Sequence, residues 1–200
     1  MPALITALQH YPMKNPLFAG ERTTLVAATQ GRVLEICCET DNNLHYYSPW
    51  VTDLAILCVE GAAGPSQHRT NERGLKAEVI FSGSDTVALP FPDASCDWVV
   101  STLTLCRAKN ADAILADVRR VLKPAGGFLF LEHGRSADRV MANRQSRLRS
   151  LWWNIGGCDL DREIDRMIAR AGLRIEKLDR YQLGQPKFLS TMYRGCARRD

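Results

Sequence analysis

The feature that most constrains this chain is the alternation of short apolar runs with helical or turn-rich segments. The runs are rich in β-branched or other apolar residues, and they lie at residues 32–38, 54–59, 78–81, 97–103 and 128–132. Runs this short and this continuously apolar are typical of central strands buried on both faces. The pattern predicts an α/β fold built on a parallel sheet.

The segments between and after these runs carry helix and turn signals. Asn110 can cap a helix over residues 111–122, which has an apolar stripe, and the turn at residues 123–127 (KPAGG) leads into the fifth strand. Asp159 is a candidate cap for a second helix that Gly172 would end. Residues 174–178 and 189–196 are then expected to close the fold as an antiparallel hairpin.

Length and charge bound the organisation and the partners. A chain of 200 residues with 46% hydrophobic content predicts one domain over residues 1–200. Within it, residues 1–30 are expected to form an N-terminal helical cover and residues 135–158 a basic lid over the sheet edge. The net charge of +4 is small and the acidic residues are interspersed, so no nucleic-acid partner is expected.

The cysteines and the N-terminus bear on the cellular compartment. Seven cysteines form an odd set without a CxxC pair, which predicts a reduced, cytoplasmic protein without a metal site. Cys106 and Cys158 could suggest a nucleophile, but packing as small apolar side chains is the favoured interpretation. The N-terminal residues have neither a basic region nor a long apolar run, so no secretion signal or membrane anchor is predicted.

Ligands of open parallel sheets bind beyond the carboxyl ends of the strands, near the point where the strand order reverses. Glu60 follows the second predicted strand, where a carboxylate can accept both hydroxyls of a ribose. Asp85 follows the third strand and could accept a hydrogen bond from an adenine amine. The alternatives are a solvated strand terminus for Glu60 and an ordinary turn residue for Asp85.

These features coincide with a family resemblance. Residues 84–132, with LPFPDASCDWVVSTLTLC and LADVRRVLKPAGGFLFLEH, resemble the core of class I S-adenosylmethionine (SAM) dependent methyltransferases. The similarity is greatest to the ubiquinone and menaquinone C-methyltransferases and to the thiol S-methyltransferase group. Gln145, Trp152 and the GC-x-L-x-R motif at residues 157–162 are similar to features of the latter group, and the resemblance extends from residue 31 to the C-terminus.

The resemblance implies a Rossmann-like, mostly parallel seven-stranded sheet with an antiparallel C-terminal strand, helices on both faces and SAM as cofactor. It also implies a set of cofactor contacts. These are Glu35, Cys37, Cys38, Glu39 and Thr40 at the methionine moiety, Glu60 on the ribose, Asp85 and Thr86 at the adenine, and Ser101 and Thr102 beneath the sulfonium.

The cofactor loop departs from the family pattern E-x-G-x-G-x-G, because Cys37, Glu39 and Asp41 stand where glycines are expected. Glycine permits φ > 0 and close approach of the backbone to a ligand. A strained non-glycine residue costs about 1 to 3 kcal/mol, whereas micromolar binding corresponds to about 8 kcal/mol. Two outcomes follow: the loop takes another path that still admits SAM, or SAM binding is weakened or lost.

Methyl transfer is an in-line displacement that needs chiefly alignment and exclusion of water. His133, directly after the fifth strand, is the candidate base or acceptor-orienting group, with a structural histidine as the alternative. Trp152 and Trp153 would line an acceptor pocket or belong to the core.

The sequence therefore predicts a methyltransferase acting on a small-molecule acceptor, thiol-bearing or aromatic. The second hypothesis is an inactive binding or scaffold protein of the same fold, in which Cys37, Glu39 and Asp41 fill the cofactor pocket. A third is an enzyme that uses the scaffold for a reaction other than methyl transfer.

Overall fold

The computed structural model describes residues 17–37, 43–59, 64–81 and 88–200, which form one eight-stranded sheet flanked by helices. The strands are β1 (Gly31–Cys37), β2 (Val51–Cys58), β3 (Gly64–Thr70), β4 (Lys76–Phe81), β5 (Cys96–Thr102), β6 (Leu122–His133), β7 (Leu173–Gln182) and β8 (Thr191–Arg199). The α-helices are α1 (Leu17–Val26), α2 (Ala111–Val121), α3 (Arg139–Gly156) and α4 (Ile164–Arg170).

The strand order is β3-β4-β2-β1-β5-β6-β8-β7. Strands β4, β2, β1, β5 and β6 run parallel to one another. Three antiparallel pairs complete the sheet: β3 with β4, β8 with β6, and β7 with β8. The α/β class, the mostly parallel sheet and its antiparallel C-terminal strand are confirmed. The chain goes from β1 to β2 on one side and returns to β5 on the other, so the strand order reverses between β1 and β5.

The sheet has eight strands rather than the expected seven. The additional strand is β3, which pairs antiparallel with β4 at the edge of the sheet. Its sequence, GPSQHRT, contains no apolar run, and Ser66 to Thr70 are exposed. A strand that buries no apolar face leaves no hydrophobic pattern, which explains why the sequence did not indicate it.

The predicted apolar runs form the core. The central strands β1, β2 and β5 are buried over most of their length, and the stripe of α2 buries Ile114, Leu115, Val118 and Val121. Asn110 stands at the start of α2 as expected, but its side chain makes no capping hydrogen bond. The antiparallel hairpin near the C-terminus is confirmed as β7 and β8.

Two local predictions are wrong. Residues 123–127 do not precede β6 but lie within it: Ala125 has φ +59°, and the register to β5 shifts between Cys96 and Trp98, so the turn is accommodated as an irregularity of the strand. Asp159 does not cap α4, which begins four residues later than predicted because Asp159 is held by Arg149 and Arg162 instead.

Two helices lie within the segments that the sequence predicts as a cover and a lid. Helix α1 lies within the predicted N-terminal cover and packs on β6. Helix α3 lies within the predicted lid; the Asp138 carboxylate accepts from the Met141 N–H at its start, and Gly157, at φ +70°, ends it. Among the described helices, none combines the length and apolar character needed to span a membrane.

Candidate functional site

Two buried glutamates lie on the two sides of β5. Glu35 is on β1 and Glu132 is on β6, and β5 runs between these strands. Their side chains are 1% and 0% exposed. Burying a carboxylate costs free energy unless it is hydrogen-bonded. The hydrogen-bond partners of each glutamate therefore determine the chemistry available near it, at the edge formed by the carboxyl ends of the parallel strands.

The first group, here called the Glu35 cluster, consists of Arg22, Glu35, Asn43, Tyr47 and Thr102. The Glu35 carboxylate accepts hydrogen bonds from Asn43 Nδ2 at 2.8 Å and from the Tyr47 hydroxyl at 2.7 Å. Asn43 Nδ2 also donates to Thr102 Oγ1 at 2.9 Å, which ties β1 to β5. The guanidinium of Arg22 on α1 donates to Asn43 Oδ1 at 3.4 Å.

Burial and mutual charge shape this cluster. Burial, reinforced by the Glu35 carboxylate, holds the pKa of Tyr47 well above its ordinary value, so its hydroxyl remains a donor. Burial lowers the pKa of Arg22, and the charge of Glu35 opposes that shift. A guanidinium and a carboxylate are thus both buried at the strand-order reversal, with Asn43 between them.

The second group, the Glu132 cluster, consists of Ser101, Thr104, Cys106 and Glu132. One carboxylate oxygen accepts from the Ser101 hydroxyl at 2.7 Å and from the Thr104 N–H at 3.1 Å. The other accepts from the Cys106 N–H at 3.1 Å. Burial raises the pKa of Glu132, although these donors oppose the shift. Glu132 therefore fixes the backbone of the turn that follows β5.

His133 and two cysteines lie beside this second cluster. The Sγ atoms of Cys106 and Cys158 are 3.6 Å apart, and His133 offers a ring nitrogen within 4.8 Å of both. Phe18 of α1 meets the His133 ring edge-on, with centroids 6.3 Å apart. Burial keeps the pKa of the Cys106 thiol well above its ordinary value, which disfavours a role as a free nucleophile.

The GC-x-L-x-R motif packs on the turn that follows β5. The Asp159 N–H donates to the Cys106 carbonyl oxygen at 2.7 Å, and the Arg162 guanidinium donates to the Leu105 carbonyl oxygen. The Asp159 carboxylate in turn binds Arg149 and Arg162. The motif therefore joins the end of α3 to the carboxyl edge of the sheet.

The two tryptophans have different surroundings. Trp152 packs against the core, whereas Trp153 lines an open cavity of about 480 Å³ beside Arg149 and Arg162. Arg162 lies over the Trp153 ring, 6.0 Å from its centroid. Trp152 therefore belongs to the core, whereas Trp153 lines the cavity. The arginines beside Trp153 make this cavity basic rather than apolar.

The structure brings together four of the predicted cofactor contacts. Glu35, Cys37, Ser101 and Thr102 lie at the carboxyl ends of β1 and β5, each at most 1% exposed. The other predicted contacts lie outside the described residues, as does the third substituted glycine position: Cys38, Glu39, Thr40, Asp41, Glu60, Asp85 and Thr86.

Sequence analysis did not identify Arg22, Asn43, Tyr47 or Glu132 as parts of this edge. Arg22 left one signal, since it is a charged residue on an otherwise apolar helix face formed by Phe18, Leu25 and Val26. Asn43 and Tyr47 carried no comparable signal, because their importance depends on the tertiary placement of Glu35.

The chemistry of the Glu35 cluster can be compared with the methionine end of SAM, which carries an ammonium and a carboxylate. Glu35 offers a carboxylate for the first and Arg22 a guanidinium for the second, so the charges fit the cofactor. The accessible surface is limited, since Glu35 and Arg22 are 1% and 2% exposed. The described side chains are complementary in charge to this group and tightly enclosed.

Comparisons with known proteins agree with this architecture. A family model described as a methyltransferase domain matches residues 34–130. Human thiol S-methyltransferase TMT1A is 29% identical over 177 residues, covering 84% of this chain and 70% of that protein. Thiol S-methyltransferase TMT1B of Rattus norvegicus is 30% identical over 178 residues, covering 84% and 72%.

A solved structure gives the same result for the fold. The S-adenosylmethionine dependent methyltransferase from Mesorhizobium loti matches with a TM-score of 0.59 at 17% identity, covering 94% of this chain and 100% of that one. Sequence similarity and fold similarity indicate the same family. The chain belongs to the SAM-dependent methyltransferase family.

Proposed function

We propose that this protein transfers the methyl group of SAM to the sulfur of a small thiol. The observation that carries the proposal is the pair of buried opposite charges, Glu35 and Arg22, at the strand-order reversal of a methyltransferase-family chain. The thiol acceptor is supported by the relatives named thiol S-methyltransferases, which align with 84% of this chain.

In this proposal Glu35 would hold the ammonium of the cofactor and Arg22 its carboxylate. Glu60 would hold the ribose and Asp85 the adenine, as the family resemblance implies. SAM supplies an electrophilic methyl group on a sulfonium. The chain must then bring a sulfur nucleophile in line with that group and keep water away.

A thiol is a poor nucleophile until it loses its proton. His133 stands at the carboxyl end of β6, where its imidazole can accept the proton of an acceptor thiol or orient its sulfur. Phe18 and the turn after β5 enclose this histidine, which is 6% exposed. In this proposal the enclosure would keep water away from the methyl group.

The experiment is a calorimetric titration of the full chain with SAM and S-adenosylhomocysteine, followed by assays with a small alkyl thiol and a phenol. We expect binding, and production of S-adenosylhomocysteine with the thiol. Glu35→Gln and Glu60→Ala should each weaken SAM binding at least about tenfold, because a hydrogen bond to a charged group contributes about 1.5 to 3 kcal/mol.

The matched control is Glu78→Gln, an exposed glutamate on β4 that should leave binding unchanged. SAM binding with turnover of the phenol alone would replace the thiol with an aromatic acceptor. The absence of heat at millimolar SAM would overturn the enzymatic proposal.

A second candidate function is a binding or scaffold protein with an impaired cofactor site. The observation that favours it is the enclosure of Glu35, Cys37, Ser101 and Thr102, whose side chains leave almost no accessible surface. Binding of S-adenosylhomocysteine without methyl transfer to either acceptor would support a ligand-binding role. If neither SAM nor S-adenosylhomocysteine binds, a scaffold role would be supported.

A further inference from the structure

We propose that Cys106, Cys158 and His133 form a binding site for a zinc ion. The three residues lie far apart in the sequence, on the turn after β5, after the end of α3 and at the end of β6. The absence of a CxxC pair predicted no metal site, but the fold brings one ligand atom of each residue within 4.8 Å of the others. All three side chains are buried.

The spacing suits tetrahedral zinc. Zn–S bonds of about 2.3 Å at a tetrahedral angle place two sulfurs about 3.8 Å apart, and the two Sγ atoms are 3.6 Å apart. Two thiolates and an imidazole are ligands that zinc prefers, and sites with three protein ligands retain a position for an external fourth ligand.

An independent observation concerns the histidine. Nδ1 of His133 is buried and finds no hydrogen-bond partner within residues 17–37, 43–59, 64–81 and 88–200. A buried polar atom without a partner is costly, and metal ligation is one way in which an imidazole nitrogen is satisfied. The structure therefore places a histidine with one unsatisfied ring nitrogen next to two adjacent thiols.

The backbone holds the ligands in place. The Cys106 N–H is bound by Glu132, and its carbonyl oxygen accepts from the Asp159 N–H, directly after Cys158 in the chain. His133 is the last residue of β6, where it pairs with Met192 of β8. Metal sites require ligands fixed by surrounding structure, and these contacts provide that preorganisation.

Charge balance also permits burial of the ion. Two thiolates and a neutral imidazole cancel the charge of Zn²⁺, so the complete site is neutral. A neutral group avoids most of the penalty for moving an ion out of water. The open fourth position would suit the sulfur of an acceptor thiol, where zinc rather than His133 would favour loss of the thiol proton to solvent. This is the one element of the inference that rests on the proposed function.

The test is titration of the full, reduced, metal-freed protein with Co²⁺ and then Zn²⁺. We expect one equivalent of Co²⁺ with thiolate-to-cobalt charge-transfer absorption, displaced by Zn²⁺. Cys106→Ser, Cys158→Ser and His133→Gln should each weaken binding at least about tenfold, the usual minimum for a perturbed metal site. Cys96→Ser changes a buried cysteine at the opposite end of β5 and should leave binding unchanged.

A second measurement needs no variant. In the wild-type chain, Zn²⁺ should protect Cys106 and Cys158 from alkylation, with Cys96 as the reference thiol. Failure to bind cobalt, or equal alkylation with and without zinc, would overturn the proposal. So would a Cys106–Cys158 disulfide in freshly isolated protein whose reduced form binds no zinc. Both measurements are independent of SAM, so loss of methyl transfer would not affect their outcome.

Discussion

The two buried glutamates at the carboxyl edge are stabilised in different ways. In the described structure Glu35 accepts from side chains, the amide of Asn43 and the hydroxyl of Tyr47. Glu132 accepts from one hydroxyl and from the backbone N–H groups of Thr104 and Cys106. Side-chain donors can rotate, whereas backbone donors are fixed by the fold. One cluster can therefore adapt to a ligand, and the other maintains the shape of the turn.

The difference separates two tasks on one sheet edge. The adaptable cluster lies where the strand order reverses, and it carries the charges that fit the cofactor. The fixed cluster lies one strand further along and holds Cys106, which faces Cys158 and His133. Under the proposed function, one buried carboxylate would serve binding, whereas the other serves rigidity.

Glu132→Gln should have the largest effect on stability through hydrogen bonds. A protonated carboxyl keeps acceptor lone pairs on both oxygens, but an amide nitrogen has none, so either orientation of glutamine leaves the Thr104 or Cys106 N–H without an acceptor. We expect a loss of about 2 to 3 kcal/mol in the free energy of unfolding. Urea denaturation measures it, and a loss below about 0.5 kcal/mol would show that the turn does not depend on Glu132.

The pH dependence of stability should report the same residue. Because burial raises the pKa of Glu132 in the folded state above its ordinary value of 4.5, the folded protein binds its proton more tightly than the unfolded chain. Stability from this group is fully present below pH 4.5 and is lost as the pH rises through the folded-state pKa. The free energy of unfolding of the wild type should exceed that of Glu132→Gln by less and less as the pH rises from the unfolded-state pKa to the folded-state pKa. The difference should decrease by about 1.4 kcal/mol for each pH unit in this range.

Glu35→Gln should disturb its hydrogen bonds less. The Tyr47 hydroxyl can turn from donor to acceptor, and the amide of Asn43 can still donate to the remaining oxygen. We expect the rearranged hydrogen bonds to cost about 1 kcal/mol or less in the free energy of unfolding. The loss of the charge that faces the buried Arg22 guanidinium adds to this cost. The same denaturation series tests this, and a total loss of about 1 kcal/mol or less would show that Arg22 does not depend on the charge of Glu35.

Cys58→Ser should have the smallest effect, measured here on zinc affinity. Cys37 and Cys58 face each other across β1 and β2 with Sγ atoms 3.7 Å apart, and they belong to no three-ligand group among the described residues. Serine in place of Cys58 should leave the zinc affinity unchanged within about twofold, less than about 0.5 kcal/mol. A larger change in a competition titration would show that the metal binds at this pair instead.

Much of the fold could be predicted from the sequence. The apolar runs located β1, β2, β5 and β6 because strands buried on both faces must be continuously hydrophobic. Strand β4 was located by its short apolar run, although its alternate residues Lys76 and Glu78 are exposed. Strand β3 could not be found in this way, since its exposed residues have no apolar pattern. The irregular start of β6 was mistaken for a separate turn, because KPAGG satisfies turn chemistry whether or not the strand continues through it.

The site was less predictable than the fold. The family resemblance implied that Glu35, Ser101 and Thr102 lie near one another, and the structure places them together at the carboxyl ends of β1 and β5. It could not indicate Asn43 and Tyr47, which approach Glu35 only through tertiary folding. Nor could spacing indicate that Cys106 and Cys158 would lie together, because the contact depends on how the GC-x-L-x-R motif packs on the turn after β5.

The two outer strands have a consequence for the behaviour of the protein in concentrated solution. Strand β3 ends one side of the sheet with exposed polar residues from Ser66 to Thr70, and β7 ends the other with alternating charges such as Arg174, Glu176 and Asp179. Unpaired strand edges invite other chains to add to them, and exposed polar and charged side chains discourage such addition. An eight-stranded sheet finished in this way resists growth into aggregates, even though its interior strands are strongly apolar.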